Sequence, residues 1–207
     1  MASLKEELNT QTVDVLREVA NIGAGNAITA LSQMLNSKIN MDVVEVNITE
    51  ISEIDQFAPV VDRCVVANLI EVTGGMRAIL LLVLTEDSTM ELVSRVMGYR
   101  PENIRDMGEI EHSLVSELGN ILGGSYLNAI GTFLDQTLDL TTPQVAVDMA
   151  SAILSMPAIE FCDENLDTIV IQSKFQASDN LLEGTYILMM DKDTERNIMK
   201  MIGRYYE

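Results

Sequence analysis

Apolar residues recur every three or four positions across residues 14–31. There Leu16, Val19, Ala20, Gly23, Ala27 and Ala30 gather on one side of a helix turning about 100° per residue. Asp14, Glu18, Asn21 and Gly25 fall on the opposite side and stack into a narrow stripe, because positions three and four apart are neighbours on a helix. The pattern then changes period. Residues 39–46 are partly alternating and β-branched and read as a strand; 64–72 and 77–84 read as further extended runs. Residues 88–97 return to a helical pattern, closed by Gly98. The same order follows again: a long helix over 113–130, strands over 138–140, 144–149, 168–175 and 185–190, and a last helix over 194–202 closed by Gly203.

That recurrence is a duplication. A shift of 99 positions carries Glu18 onto Glu117, Asn21 onto Asn120, Ile22 onto Ile121, Gly25 onto Gly124 and Ala30 onto Ala129. Asp14 falls on Ser113, one small polar residue in place of another. The natural junction is residues 99–103, where Pro101 breaks helical continuation. It is short, so the halves are expected to pack as one domain over 1–207, built from repeats at about 1–98 and 104–207. The class this predicts is α+β.

Composition narrows the function. Hydrophobic residues make up 47% and charged residues are interspersed, as in a globular chain. Tryptophan is absent and methionine numbers 13, so the core is expected to rest on Leu, Ile, Val and Met. The net charge of −19, with no clustered Lys or Arg, excludes nucleic-acid binding and works against an anionic membrane surface. Cys64 and Cys162 have no CxxC spacing and no nearby histidine, so neither a disulfide framework nor a metal site is expected. The polar start and the short longest apolar run, 78–84, give neither a secretory signal nor a membrane span. A cytoplasmic protein, monomeric when unbound, is the expectation.

On one helix a stripe of Asp, Glu and Asn is ordinarily just the solvated side. Two features favour a site. Glu and Asn persist in both copies, although an unconstrained surface pair should drift apart more readily than the core. Gly25 and Gly124 sit on the same stripe in mid-helix, where glycine costs about 1 kcal/mol relative to alanine. Such a glycine suits the close approach of another backbone beside the Asn. Helix-to-helix packing, or a helix ending before Gly25, would explain it equally well. Chemically, Asn is no general base at neutral pH, but it both accepts from and donates to a water and can hold that water in line with a scissile bond. Glu can pair with a lysine or arginine of a partner. An exposed helix carrying both suits insertion into another protein's active site, as when an amide side chain orients water in a GTPase.

The run Asp14-x3-Glu18-x2-Asn21, followed by Ile22-Gly23-Ala24-Gly25-Asn26, resembles the signature of the CheC/CheX/FliY phosphatases, and Ser113-x3-Glu117-x2-Asn120 is similar to that family's second copy. The resemblance covers the whole chain. Two intact motifs set it apart from the single-motif CheX branch, and the added switch domain and N-terminal segment of FliY have no counterpart in the sequence. What the resemblance implies is a pseudo-twofold α+β unit, with long motif helices beside antiparallel sheet, that hydrolyses the aspartyl phosphate of the chemotaxis response regulator CheY. Asn21 and Asn120 would then position the water, and Glu18 and Glu117 would dock on the regulator's lysine. Asp14, Ser113, Gly25 and Gly124 would support them. The protein would have no cofactor of its own, since the Mg²⁺ would belong to phosphorylated CheY. The receptor deamidase CheD would be a second partner. A non-catalytic adaptor for CheY or CheD is the alternative reading, and a structural piece of the flagellar switch is disfavoured. Asn26 against Ser125 and Gly23 against Leu122 mark places where the two copies differ.

Other residues carry less. His112, the only histidine, stands where the first copy has Val13 and is expected to be an exposed helical residue without catalytic duty. Glu109 and Glu111 suit a helix N-terminus. Gly74-Gly75 lacks the lysine of a phosphate loop and reads as a turn between strands. Asp148 interrupts an apolar run. It is expected to face outward on a strand, with a protein contact such as CheD as the functional alternative.

Overall fold

In the computed structural model, residues 10–42, 44–58, 60, 63–161, 167–179 and 181–205 are described. Helix α1 spans Thr10–Leu35 and leads into strands β1 (Ile39–Met41) and β2 (Glu45–Glu50). A 3-10 turn over Ile51–Phe57 precedes the hairpin β3 (Cys64–Gly74) and β4 (Ala78–Thr85), and α2 (Glu86–Met97) closes the first half. The second half repeats the plan: α3 (Glu109–Leu134), β5 (Leu138–Leu140), β6 (Gln144–Met149), α4 (Ala150–Phe161), β7 (Asp167–Ala177), β8 (Glu183–Met190) and α5 (Lys192–Tyr205).

Local chemistry sets several boundaries. Thr85 caps α2 by accepting the Ser88 amide at 3.2 Å, with Glu86 and Asp87 against the positive end of the helix dipole. Gly98 ends α2 at φ 77, in the left-handed region that glycine adopts without a Cβ penalty, so the helix stops at Met97, before Pro101 is reached. Glu111 reaches back to the Gly108 amide at 2.9 Å and starts α3. At the C-terminus the expected stop fails: α5 runs through Gly203 to Tyr205. The single strand expected at 39–46 is two strands, each pairing with a different stretch of β7.

Among the described residues the eight strands form one antiparallel sheet in the order β1-β7-β8-β4-β3-β5, with β2 also on β7 and β6 also on β3. The halves therefore interlock. The short strands of the first half complete the edge of the second half's hairpin, and those of the second half complete the edge of the first. At the centre, β4 pairs with β8. Both central strands are buried on both faces, which is why β4 reads as an unbroken apolar run. Ala78, Leu80, Leu82 and Leu84 point into the core under α1 and α3. Ile79, Leu81 and Val83 point into a smaller core closed by the 3-10 turn and α4, through Ile54, Phe57, Ile153 and Leu154.

Candidate functional site

Helices α1 and α3 lie side by side on one face of the sheet and run antiparallel. Leu16, Val19 and Ala20 near the start of α1 line a small apolar pocket with Ile130, Phe133 and Leu134 near the end of α3. Further along, a Cβ built on Gly23 would meet the Tyr126 carbonyl at 2.9 Å, so that side of α1 faces its neighbour. Gly25 lies about 200° further round the helix, and a Cβ there would meet nothing within 4 Å. The stripe Asp14-Glu18-Asn21-Gly25 thus turns away from α3. On α3, Gly119 and Gly123 face the sheet, against Asn68, Ile70 and Leu80, whereas Gly124 meets only Leu140 of β5, at 3.8 Å. The second stripe therefore also turns outward, over the edge formed by β5 and β6. The two stripes occupy opposite flanks of the helix pair.

The expected site residues come together as two separate groups, one per helix. Asp14, Glu18, Ser113, Glu117 and Asn120 are exposed. Asn21, Gly25 and Gly124 are half-buried, more enclosed than the sequence pattern implied. Asp14 is held by Arg17 at 3.0 Å, and the second copy has Ser116 in place of that arginine. Among the described residues, Glu18, Asn21, Glu117 and Asn120 have no hydrogen-bond or ion-pair partner. Helix continuity through Gly25 to Leu35, and the open space around Gly25, remove both structural explanations for that glycine.

Ile22 and Ile121, directly after each Asn, are 50% and 37% exposed. The repeat overlay contained that signal, since the two match, but periodicity gave no reason to expect an apolar residue there. Each unpaired Glu–Asn pair is thus bordered by an apolar contact and an open backbone. Chemically each pair offers an acceptor for a cation and an amide able to hold a water.

His112 departs from expectation. It is half-buried and lines an open cleft with Cys64, Ile104, Arg105, Val147, Asp148 and Met149. Nearby, the Tyr99 hydroxyl donates to the Glu111 carboxylate and holds it below the usual carboxylate range. Asp148 is exposed on the edge strand β6, where its carboxylate accepts the Met149 amide at 2.7 Å. Cys64 is a free thiol, and Cys162 lies outside the described residues. Among the described residues no group of three or more His, Cys, Asp or Glu is placed to hold a metal, and no helix is long and apolar enough to cross a membrane.

Known proteins match this arrangement. The family model described as CheC-like family matches residues 13–43 and 110–147, the segments that carry the two stripes. The chain is 27% identical over 205 residues to the CheY-P phosphatase CheC of Bacillus subtilis (strain 168), covering 97% of this chain and 98% of that protein. It is also 27% identical over 141 residues to the flagellar motor switch phosphatase FliY of the same organism, covering 68% of this chain but 36% of that protein. The crystal structure of FliY from Thermotoga maritima shares the fold, with a TM-score of 0.75 at 20% identity over 95% of this chain and 98% of that one.

Proposed function

This chain belongs to the CheC-like family, and from that premise we propose that it is a phosphatase acting on the aspartyl phosphate of CheY. The observation that carries this reading is the two partner-free Glu–Asn pairs, each beside a mid-helix glycine: Gly25 with open space outside it, Gly124 with only Leu140 in ordinary contact. A docked regulator presents its phosphoaspartate and active-site lysine to one stripe. Glu18 or Glu117 accepts from the lysine ammonium and sets the helix in register. Asn21 or Asn120 holds a water in line with the phosphorus, replacing random approach with a fixed geometry. The water's oxygen bonds to phosphorus as the bond to the aspartyl oxygen breaks. The products are the free regulator carboxylate and inorganic phosphate. The Mg²⁺ is expected in the regulator. Asp14, Ser113, Gly25 and Gly124 support docking, and Ile22 and Ile121 supply its apolar contact.

The same reading places the protein in the cytoplasm and gives it CheD as a second partner, docked at the exposed β6 edge around Asp148 and Met149. Co-purification of the two proteins that survives Asp148→Lys would overturn that placement. The phosphatase itself is tested by following decay of phosphorylated CheY with wild type and with Asn21→Ala plus Asn120→Ala. Acceleration by wild type alone is the expected result. Binding without acceleration by either protein would replace the phosphatase with an adaptor.

A further inference from the structure

The two stripes share their reacting residues but not their foundations. Beneath α3, the side chain of Asn68 on β3 is 1% exposed, and its amide donates to the Val115 carbonyl at 2.6 Å. It also approaches the Ser116 carbonyl at 3.5 Å. Gly119 makes room for this contact, since a Cβ there would stand 1.9 Å from the Asn68 amide nitrogen. The clamped turn, 115–119, carries Glu117 and runs directly into Asn120.

Among the described residues, the matching place under α1 has no such clamp. Asn68 pairs with Val145 and Ile171 pairs with Val46, and the repeat carries Val46 onto Val145. Ile171 therefore occupies the position of Asn68, and Ala20 that of Gly119. Ala20 and Ile171 line the same apolar pocket, so at this place α1 rests on the sheet through dispersion contacts, and its hydrogen bond to the sheet, from the Ile39 amide to Ser32 at 3.3 Å, lies far from the first stripe. Dispersion contacts tolerate small rotations and slides. A buried hydrogen bond to one particular carbonyl fixes both the rotation and the height of the turn. Stability does not explain the asparagine. Its side-chain oxygen is buried without a partner, a cost that a leucine of similar shape would avoid.

We propose that Asn68 is a positioning residue for the α3 site, locking Glu117 and Asn120 at a fixed height and rotation, while the α1 site works without an equivalent. This rests on the phosphatase reading above, and the test separates the two. Asn68→Leu is introduced into Asn21→Ala, where only the α3 site remains, and into Asn120→Ala, where only the α1 site remains. Loss of positioning should lower the α3-only kcat by ~10-fold or more with KM little changed, because small misplacements weigh heavily on oriented reactions. The α1-only rate should stay within about 2-fold, a selectivity that general destabilisation would not produce. Equal losses in both backgrounds, or none in either, would overturn the role. Backbone hydrogen exchange decides the clamp even if no variant accelerates dephosphorylation, a failure that would fall on the phosphatase reading. Asn68→Leu should speed exchange over residues 115–120 and leave 16–21 unchanged; unchanged exchange in both segments would refute the clamp.

Discussion

Two glycines in one helix, two residues apart, should respond to the same substitution with opposite signs. A Cβ on Gly25 meets nothing within 4 Å, while one on Gly23 meets the Tyr126 main-chain carbonyl at 2.9 Å and its ring at 3.2 Å. Gly25→Ala therefore gains helix propensity without a clash, worth about 1 kcal/mol. In a chain of 207 residues that corresponds to roughly 2–4 °C in Tm. Gly23→Ala must push two helices apart against a backbone atom, and overpacking of that kind costs about 1–3 kcal/mol. Thermal unfolding followed by circular dichroism reads both signs directly.

Activity should move the other way at Gly25. In an Asn120→Ala background, where only the α1 site remains, Gly25→Leu fills the space through which a partner's backbone would approach Asn21. The expectation is a fold as stable as wild type, with kcat/KM for phosphorylated CheY lowered by ~10-fold or more, equivalent to about 1.4 kcal/mol of docking. A stabilised protein with a weakened site would mean that the glycine's helix cost is offset in the complex. If Gly25→Leu leaves the α1-site rate intact, the approach argument is wrong. If Gly25→Ala destabilises, the flank of α1 is not open.

Because the stripes sit on opposite flanks of the helix pair, two activated regulator molecules should bind at once. Sedimentation with the beryllofluoride-activated regulator should show two per chain, falling to one when Glu117→Ala and Asn120→Ala disable α3; saturation at one per wild-type chain would contradict the flank geometry. Tyr126 and Tyr186 stack in the core with ring centroids 5.9 Å apart, and burial raises both phenols above their ordinary value. Below about pH 10 both are neutral whether folded or unfolded; above it the unfolded chain ionises while the folded chain holds its protons, so stability falls as pH rises. Replacing both with Phe should move the alkaline unfolding midpoint upward when unfolding is followed by circular dichroism, and an unmoved midpoint would show that another group controls it.

Much of the fold was legible because it is local. The long helices carried a 3.6-residue period, the apolar runs 77–84 and 185–190 read as the strands they are, and Gly98 stopped α2 where expected. What escaped was non-local or ambiguous. The exchange of β1 and β2 for β5 and β6 across the halves leaves each strand's own pattern unchanged, since a strand alternates the same way whichever hairpin it joins. Helix α4 was missed because residues 150–161 are apolar almost throughout and contain Pro157, which reads as a helix stop. The stripes were legible through repetition. That Asn21 is half-buried, and that Ile22 and Ile121 are exposed, depended on how each helix rolls against the sheet.

Duplication also supplies an internal control that a single-copy site lacks. Apart from Ala30, which packs against the core, and its half-buried counterpart Ala129, the copies agree at Glu18 and Glu117, Asn21 and Asn120, Ile22 and Ile121, Gly25 and Gly124, all on the outer side of their helices. Where they disagree, the differences lie beneath and beside the stripes: Asn68 with Gly119 against Ile171 with Ala20, and Ser113 with Ser116 against the Asp14–Arg17 ion pair. An exposed ion pair contributes little to stability, so Arg17 and Asp14 bear chiefly on the charge that a docking partner meets. The clamp bears on the geometry that it meets. The α1 site is thus expected to vary more with ionic strength, which screens exposed charges, and the α3 site with substitutions in β3. One chain would then present the same two reacting groups on two supports, and a rate measured on wild type would be the sum of two differently controlled rates.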